Sequence, residues 1–331
     1  MENSSRYEIS SCSPLSNNTI PKEEGSLSNM QIFSLVISCV IFVLGVIGNG
    51  LVMYVTGFKM KTTVNSVWLQ NLALADFLFT LFLIFYMISL SLNHRWPFGA
   101  VMCKLNSLVQ ISTMFTSVFL LTAISLERCL ATWLVHWTRN NCTPKCARIV
   151  CLSTWVVSLT CSIPFVEPRT VVENKCVRNK DPLAMKHIAM FRFVIGFLIP
   201  FLVITCCYVA IAVRVSRLKI MKKRKVKPFS FILAFILAFF ICWLPLHIND
   251  LIIIEQEYAF KYNHKHYNQC LYQRARMISP FVVSLAFFNS CVNPLLYTCM
   301  CEDFRHKLRL WRNNVTFSEV RPNMDEGEEL L

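Results

Sequence analysis

The amino-acid sequence predicts an all-α membrane protein: a seven-transmembrane helix bundle with a short amphipathic eighth helix. Three observations lead there. Mean hydropathy is +0.48, and 55% of the 331 residues are hydrophobic against 16% charged, far more apolar material than one water-soluble core holds. That material is gathered into seven runs, each long enough to give the ~20 helical residues that cross a bilayer. Lysine and arginine gather after alternate runs, as the orientation rule for membrane proteins demands. On a soluble protein a formal charge of +14 would point to nucleic acid. Here the basic residues flank apolar runs and read as topology, so no nucleic-acid partner is expected.

Residues 1–29 are polar and carry sequons at Asn3 (Asn-Ser-Ser) and Asn17 (Asn-Asn-Thr), which makes them an extracellular, glycosylated tail. No cleavable leader is visible, so span 1, Met30–Thr56, is expected to act as a signal anchor. Span 2 covers Asn65–Leu92. Span 3, Ala100–Trp133, is interrupted by Asn106, Gln110, Ser112, Thr113, Thr116, Ser117 and Thr122, and a stretch this polar belongs in the centre of the bundle, away from lipid. Spans 4 to 7 follow at Ala147–Pro164, Ile188–Ser216, Pro228–Ile254 and Met277–Met300, closing a bundle over residues 30–300. Over residues 301–312, Phe304, Leu308 and Trp311 alternate with basic residues, a pattern for a helix lying on the inner leaflet against anionic membrane lipids. Residues 313–331 read as a disordered cytoplasmic tail.

The segments after spans 1, 3, 5 and 7 hold Lys59 and Lys61, then Arg139, Lys145 and Arg148, then eight basic residues from Arg214 to Lys227, then Arg305, Lys307, Arg309 and Arg312. They face the cytoplasm, which leaves the N-terminus outside a multi-pass plasma-membrane protein. The outer loops also carry basic residues: Arg169, Lys175, Arg178, Lys180 and Lys186 after span 4, and Lys261, Lys265, Arg274 and Arg276 after span 6. These are either solvated loop charges or an attraction for an acidic ligand. Most of the sixteen cysteines lie inside apolar runs, where cysteine acts as a small hydrophobe.

A carboxylate at mid-membrane costs about 2.5–3.5 kcal/mol, which makes Asp76 of span 2 a candidate functional site. Ser117 of span 3 and Asn289 and Asn293 of span 7 lie at compatible depths. Their oxygens can hold a hydrated sodium ion, share a proton with the carboxylate, or only fasten helices together. No other metal and no cofactor is expected. The chain has no His-Glu-x-x-His, no Gly-x-Ser-x-Gly and no phosphate loop, so it does not read as an enzyme. It also lacks the repeats and paired half-helices expected of a transporter.

Several motifs stand in order on these spans: Gly48-Asn49, Leu72-Ala73-Leu74-Ala75-Asp76, Glu127-Arg128-Cys129, Trp155, Pro200 with Tyr208, Phe239 through Trp243-Leu244-Pro245, and Asn293-Pro294-Leu295-Leu296-Tyr297. Over about residues 30–312 this set resembles rhodopsin-type (class A) G-protein-coupled receptors. Ser117-Val118-Phe119-Leu120, His136-Trp137-Thr138-Arg139-Asn140 and Leu285 through Pro294 are similar to the chemoattractant group, which includes formyl-peptide, chemerin and complement anaphylatoxin receptors.

The resemblance implies a cell-surface receptor for a peptide or acidic chemoattractant, serving chemotaxis and inflammatory responses through heterotrimeric G proteins of the inhibitory type. Arrestin is a lesser partner, because only Thr316 and Ser318 can be phosphorylated after Phe304. Two alternatives remain open: a non-signalling scavenger or decoy of the same fold, since Glu127-Arg128-Cys129 replaces the usual Asp-Arg-Tyr, and a transporter. The implied activation switch comprises Arg128 with Glu127 and Tyr208, Trp243 with Phe239 at the Pro245 kink, and Asn293, Pro294 and Tyr297. The implied disulfide joins Cys103 to Cys176 in the oxidising compartment. Cys12 either pairs with Cys270 or stays free. Helical spacing brings Asn106, Gln110 and Thr113 to one cavity with Arg192, His247 and Phe287. Arg192 either anchors a ligand carboxylate there or snorkels. Gln110 stands where amine receptors carry an aspartate, and Phe287 where retinal proteins carry a lysine, so the resemblance implies neither of those ligands.

Overall fold

Seven helices of the computed structural model are long and apolar enough to cross a membrane: Asn29–Lys59, Val64–Ser91, Gly99–Trp133, Pro144–Val166, Pro182–Arg217, Ala238–Tyr262 and Gln269–Pro294, called here spans 1 to 7. The structure describes residues 29–217, 227–262 and 264–300. The expected glycosylation sites Asn3 and Asn17, the 301–312 helix and the 313–331 tail lie outside the described residues.

Each expected span corresponds to one helix, and the differences sit at the ends. The helix of span 6 continues from Lys227 to Tyr262, and that of span 7 starts at Gln269 and ends at Met300. Hydropathy alone stops span 6 at Ile254 and delays span 7 to Met277, because charged residues enter there. A helix keeps its backbone bonds after leaving hydrocarbon, so composition marks the membrane surface and not the helix end. Span 5 likewise begins six residues early, where the Asp181 carboxylate accepts from the Leu183 N–H at 2.9 Å and Pro182 takes the first helical position.

Span 3 is the axis of the bundle: 56% of its apolar window is buried, against 22% in spans 1 and 4. Its polar residues are therefore covered by helices, and the apolar outer faces of spans 1 and 4 (Val36, Val40 and Ile47; Ile149, Leu152 and Val156) are left for lipid. Span 1 packs on spans 2 and 7, span 3 on spans 2, 4 and 5, and span 6 on spans 5 and 7. Polar side chains fasten these contacts. Asn49 Nδ2 donates to Gly45 O at 2.9 Å and across to Ser290 O at 3.0 Å, clamping span 1 to span 7. Trp155 Nε1 donates to Asn71 Oδ1 at 3.3 Å, joining span 4 to span 2. Span 5 contains a wide π turn at Val194–Leu198, and there a Cβ on Gly196 would already stand 3.0 Å from the Phe115 ring. Glycine is what lets span 5 close on span 3.

Between spans 4 and 5 lies a feature not read from the sequence, an antiparallel hairpin of β1 (Arg169–Val172) and β2 (Lys175–Arg178). Its two-residue turn, Glu173-Asn174, has both φ angles positive, at 49° and 57°, the conformation that matches strand twist. The hairpin is tied down twice. Cys176 forms a disulfide with Cys103 at the start of span 3, Cα to Cα 5.7 Å, and the Trp96 N–H donates to Asn174 O at 2.6 Å. The end of the bundle that it covers is called the hairpin end below. A short helix, Val135–Asn141, follows span 3 at the opposite end.

Candidate functional site

Polar and charged side chains converge beneath the hairpin. Arg192 of span 5 is buried, and its Nη2 donates to Asp250 of span 6; the two side chains are only 11% and 14% exposed. Asp250 lies one helical turn beyond His247. Arg169 and Arg178, register partners in the hairpin, act on the same centre: Asp250 feels both Arg192 and Arg178, and Arg169 feels Arg178, Asp250 and Arg192. Burial, with repulsion from Arg178, pulls Arg169 down to about 9. Arg192 thus touches the carboxylate while Arg169 and Arg178 act on the centre through space, and the three guanidiniums give the group a net positive charge.

Among the described residues, several buried polar atoms of spans 3, 5 and 6 and of the hairpin have no hydrogen-bond partner: Asn106 Oδ1, Gln110 Nε2, His247 Nε2, Arg169 Nε and Arg192 Nε. An unsatisfied buried group costs about 1–3 kcal/mol. A ligand offering donors and acceptors at this place would recover part of that. Thr113 is different, because its hydroxyl donates to Val109 O of its own helix at 2.6 Å. Phe287 stacks on Phe79 at 4.2 Å. Rings lead from there to His247: Phe79 lies 6.1 Å from Trp243, and Trp243 lies 6.3 Å from His247. Phe239 stands 6.5 Å from Trp243 and stacks on Phe197 of the π turn at 5.8 Å. Pro245 sits inside this helix, between Trp243 and His247.

One level further along, Asp76 is buried and accepts three hydrogen bonds: from Ser117 Oγ at 3.1 Å, from Ser290 Oγ at 2.9 Å and from Asn293 Nδ2. Sequence depth places Asn289 in this network, but the side chain that reaches Asp76 is that of Ser290. Asn289 is buried as well, one position and about 100° around the helix from Ser290. A carboxylate with two hydroxyl oxygens fits a hard monovalent cation such as sodium.

At the far end, Arg128 lies 3.6 Å from Glu127 and donates from Nη2 to Asn65 Oδ1 of span 2 at 2.8 Å, a partner not foreseen. Tyr208 faces Ser125 and Arg128 from span 5. Pro294 is buried in span 7, and a Cβ on Gly48 of span 1 would meet its ring at 3.3 Å. The Tyr297 side chain and Cys12 lie outside the described residues; Cys270 is disulfide-bonded.

The residue that sequence reasoning missed at the charged centre is Asp250. It lies inside the expected span 6 but only four residues before its Ile254 boundary, so the mid-membrane rule that singled out Asp76 does not reach it.

Comparison with known proteins agrees with this geometry. The family model "7 transmembrane receptor (rhodopsin family)" matches residues 48–297. The chain is similar to the C3a anaphylatoxin chemotactic receptor of Danio rerio, 37% identical over 288 residues that cover 86% of this chain and 76% of that one. It is 35% identical to human chemerin-like receptor 1 over 83% of this chain and 76% of the relative, and 36% identical to the C5a anaphylatoxin chemotactic receptor 1 of Danio rerio over 88% and 85%. A match running through all seven spans identifies a multi-pass membrane receptor and not an enzyme: the chain belongs to the rhodopsin family of seven-transmembrane receptors.

Proposed function

We propose that this protein is a plasma-membrane receptor for a peptide chemoattractant bearing an acidic group, with its hairpin end outside the cell and its Arg128 end facing an inhibitory-type heterotrimeric G protein. The observation that carries the reading is the guanidinium cluster of Arg169, Arg178 and Arg192 around the single carboxylate of Asp250. A guanidinium fork suits a carboxylate, and a charge-assisted hydrogen bond in a water-poor site is among the stronger single contacts a ligand can make. The C3a, C5a and chemerin-like receptors that the chain resembles support the chemoattractant class. The basic segments after spans 1, 3 and 5 support the orientation. Asp76 with Ser117 and Ser290 would hold a sodium ion that favours the closed bundle.

Cells expressing the receptor are exposed to a panel of peptides with free C-terminal carboxylates and to the same peptides as amides, and inhibition of cyclic AMP formation is measured. Carboxylate peptides alone should act, and Arg192→Ala should abolish the response. Uptake of peptide without any change in cyclic AMP would identify a scavenger. Equal potency of acids and amides would refute the acidic-group reading.

A further inference from the structure

We propose that Asp250 is an internal stand-in for the ligand: its carboxylate occupies Arg192 in the resting bundle, an acidic ligand displaces it, and that exchange releases the hairpin-side half of span 6. The proposal rests on the acidic-ligand reading above and adds to it the residue that resists the ligand.

Among the described residues, three ion pairs join span 5, or the Asp181 cap that precedes it, to span 6 along the hairpin end. Lys186 meets Glu255 at 2.7 Å, with the two side chains 38% and 49% exposed; Asp181 meets Lys261 at 2.6 Å, with the lysine 50% exposed and the aspartate 39%. The third is Arg192 with Asp250. Ion pairs in water contribute little, because solvent screens them and two long side chains must be held still. A buried pair is different. Taking away one partner leaves a desolvated charge, which is strongly unfavourable, so the buried pair decides whether these two helices stay together.

Its position gives it leverage. Asp250 stands five residues past Pro245, on the half of the helix that also carries His247, while Trp243 and Phe239 lie on the other side of the proline. A proline removes a backbone hydrogen bond and softens the rod at that point. While Asp250 is held by Arg192, the hairpin-side half is fixed to span 5. Phe197 of the π turn packs against His247 at 5.2 Å and against Phe239 at 5.8 Å, bridging the softened point.

A ligand carboxylate on Arg192 would leave Asp250 buried next to a second negative charge. Repulsion, together with the pull of exposed Arg178 at the mouth, then drives Asp250 and its half of span 6 away from span 5. With one more guanidinium at Arg169 the site stays positive throughout, so the internal carboxylate weakens ligand binding without abolishing it. Asp250 is therefore a specificity-determining residue as well as a latch: a neutral ligand filling the same space could not dislodge it.

The test uses the full-length receptor in lipid nanodiscs, with no ligand and no G protein. Paramagnetic labels are attached through non-natural residues at the Arg128-side ends of spans 4 and 6, and their distance distribution is measured. Asp250→Asn is expected to raise the population of the longer distance several-fold over wild type, and Arg192→Gln should do the same. The charge exchange Arg192→Asp with Asp250→Arg should return the wild-type distribution. A wild-type distribution in folded Asp250→Asn or Arg192→Gln would overturn the proposal. So would failure of both single variants to fold, which would mark the pair as a structural strut. Because no ligand is present, neither result depends on the acidic-ligand reading, which fails on its own if Arg192→Ala leaves peptide responses intact.

Discussion

Replacing Arg169 by glutamine takes one of three guanidiniums out of the cluster around Asp250. Burial is the main reason that Arg169 titrates at about 9; Arg178 adds repulsion, Asp250 opposes it, and Arg192 adds a little more. That lies roughly three pH units below arginine's ordinary range, and at about 1.4 kcal/mol per unit the charged form carries ~4–5 kcal/mol of unfavourable interaction. Although Nε is sealed, the side chain as a whole is half-buried. Water at its exposed edge screens part of the penalty, leaving about 2 kcal/mol to be gained by neutralisation. At about 2–4 °C per kcal/mol, Arg169→Gln should melt about 5 °C higher than wild type at pH 7, and it should respond more weakly to carboxylate peptides.

The pH dependence fixes the cause. Burial and Arg178 lower the proton affinity of Arg169 in the folded chain, to about 9, below that in the unfolded chain. The unfolded state therefore binds more protons above that pH, and wild-type stability rises there relative to the variant. Below pH 9 both states are protonated and the penalty is present in full. Thermal unfolding of the two purified receptors from pH 7 to pH 10 should show a gap that is constant up to about pH 8 and narrows above about 9. A variant no more stable than wild type at pH 7, or a gap that ignores pH, would refute the claim that this site stores electrostatic strain.

Two further outcomes are expected. If Asp76 holds sodium, the melting temperature of the wild type should climb with sodium but not with choline, by about 1.4 kcal/mol at ten times the dissociation constant; Asp76→Asn should melt at one temperature in both salts. A Cβ on Gly45 would stand 2.5 Å from Thr80 Cγ2, and Thr80 cannot turn away while its Oγ1 donates to Asp76 O at 2.8 Å. Gly45→Ala should thus cost about 1–3 kcal/mol by overpacking, read as a lower melting temperature, and Thr80→Ala in the same chain should recover only part of it, because the Cβ that alanine keeps would still stand 2.9 Å away, whereas Thr80→Gly removes that contact as well.

The bundle was legible because its driving force is written in composition. Seven apolar runs have no other place to go, and the polar interruptions of span 3, from Asn106 to Thr122, mark the one helix that other helices surround. Helix ends were not legible, since past Ile254 and before Met277 the residues turn polar while the backbone stays helical. The hairpin did leave a signal: Thr170-Val171-Val172 and Cys176-Val177 flank Glu173-Asn174, β-branched residues around a two-residue turn. Its neighbours are charged, and charge in a loop reads as solvation. Ser290 was missed in favour of Asn289 because hydropathy fixes depth and not direction around the helix.

Asp250 shows the same limit with more at stake. With span 6 ended at Ile254, it falls four residues from the membrane surface, where a carboxylate can reach water and needs no partner. The helix runs on to Tyr262, and the hairpin, held by Cys103 and Cys176, brings Arg169 and Arg178 within electrostatic reach of Asp250. Arg192 of span 5 makes the direct ion pair with that acid, and the loop is the source of the further charges of Arg169 and Arg178. The disulfide thus does electrostatic as well as mechanical service. It holds in place two of the three guanidiniums that outnumber Asp250, so the positive excess that the proposed acidic ligand would meet depends on it.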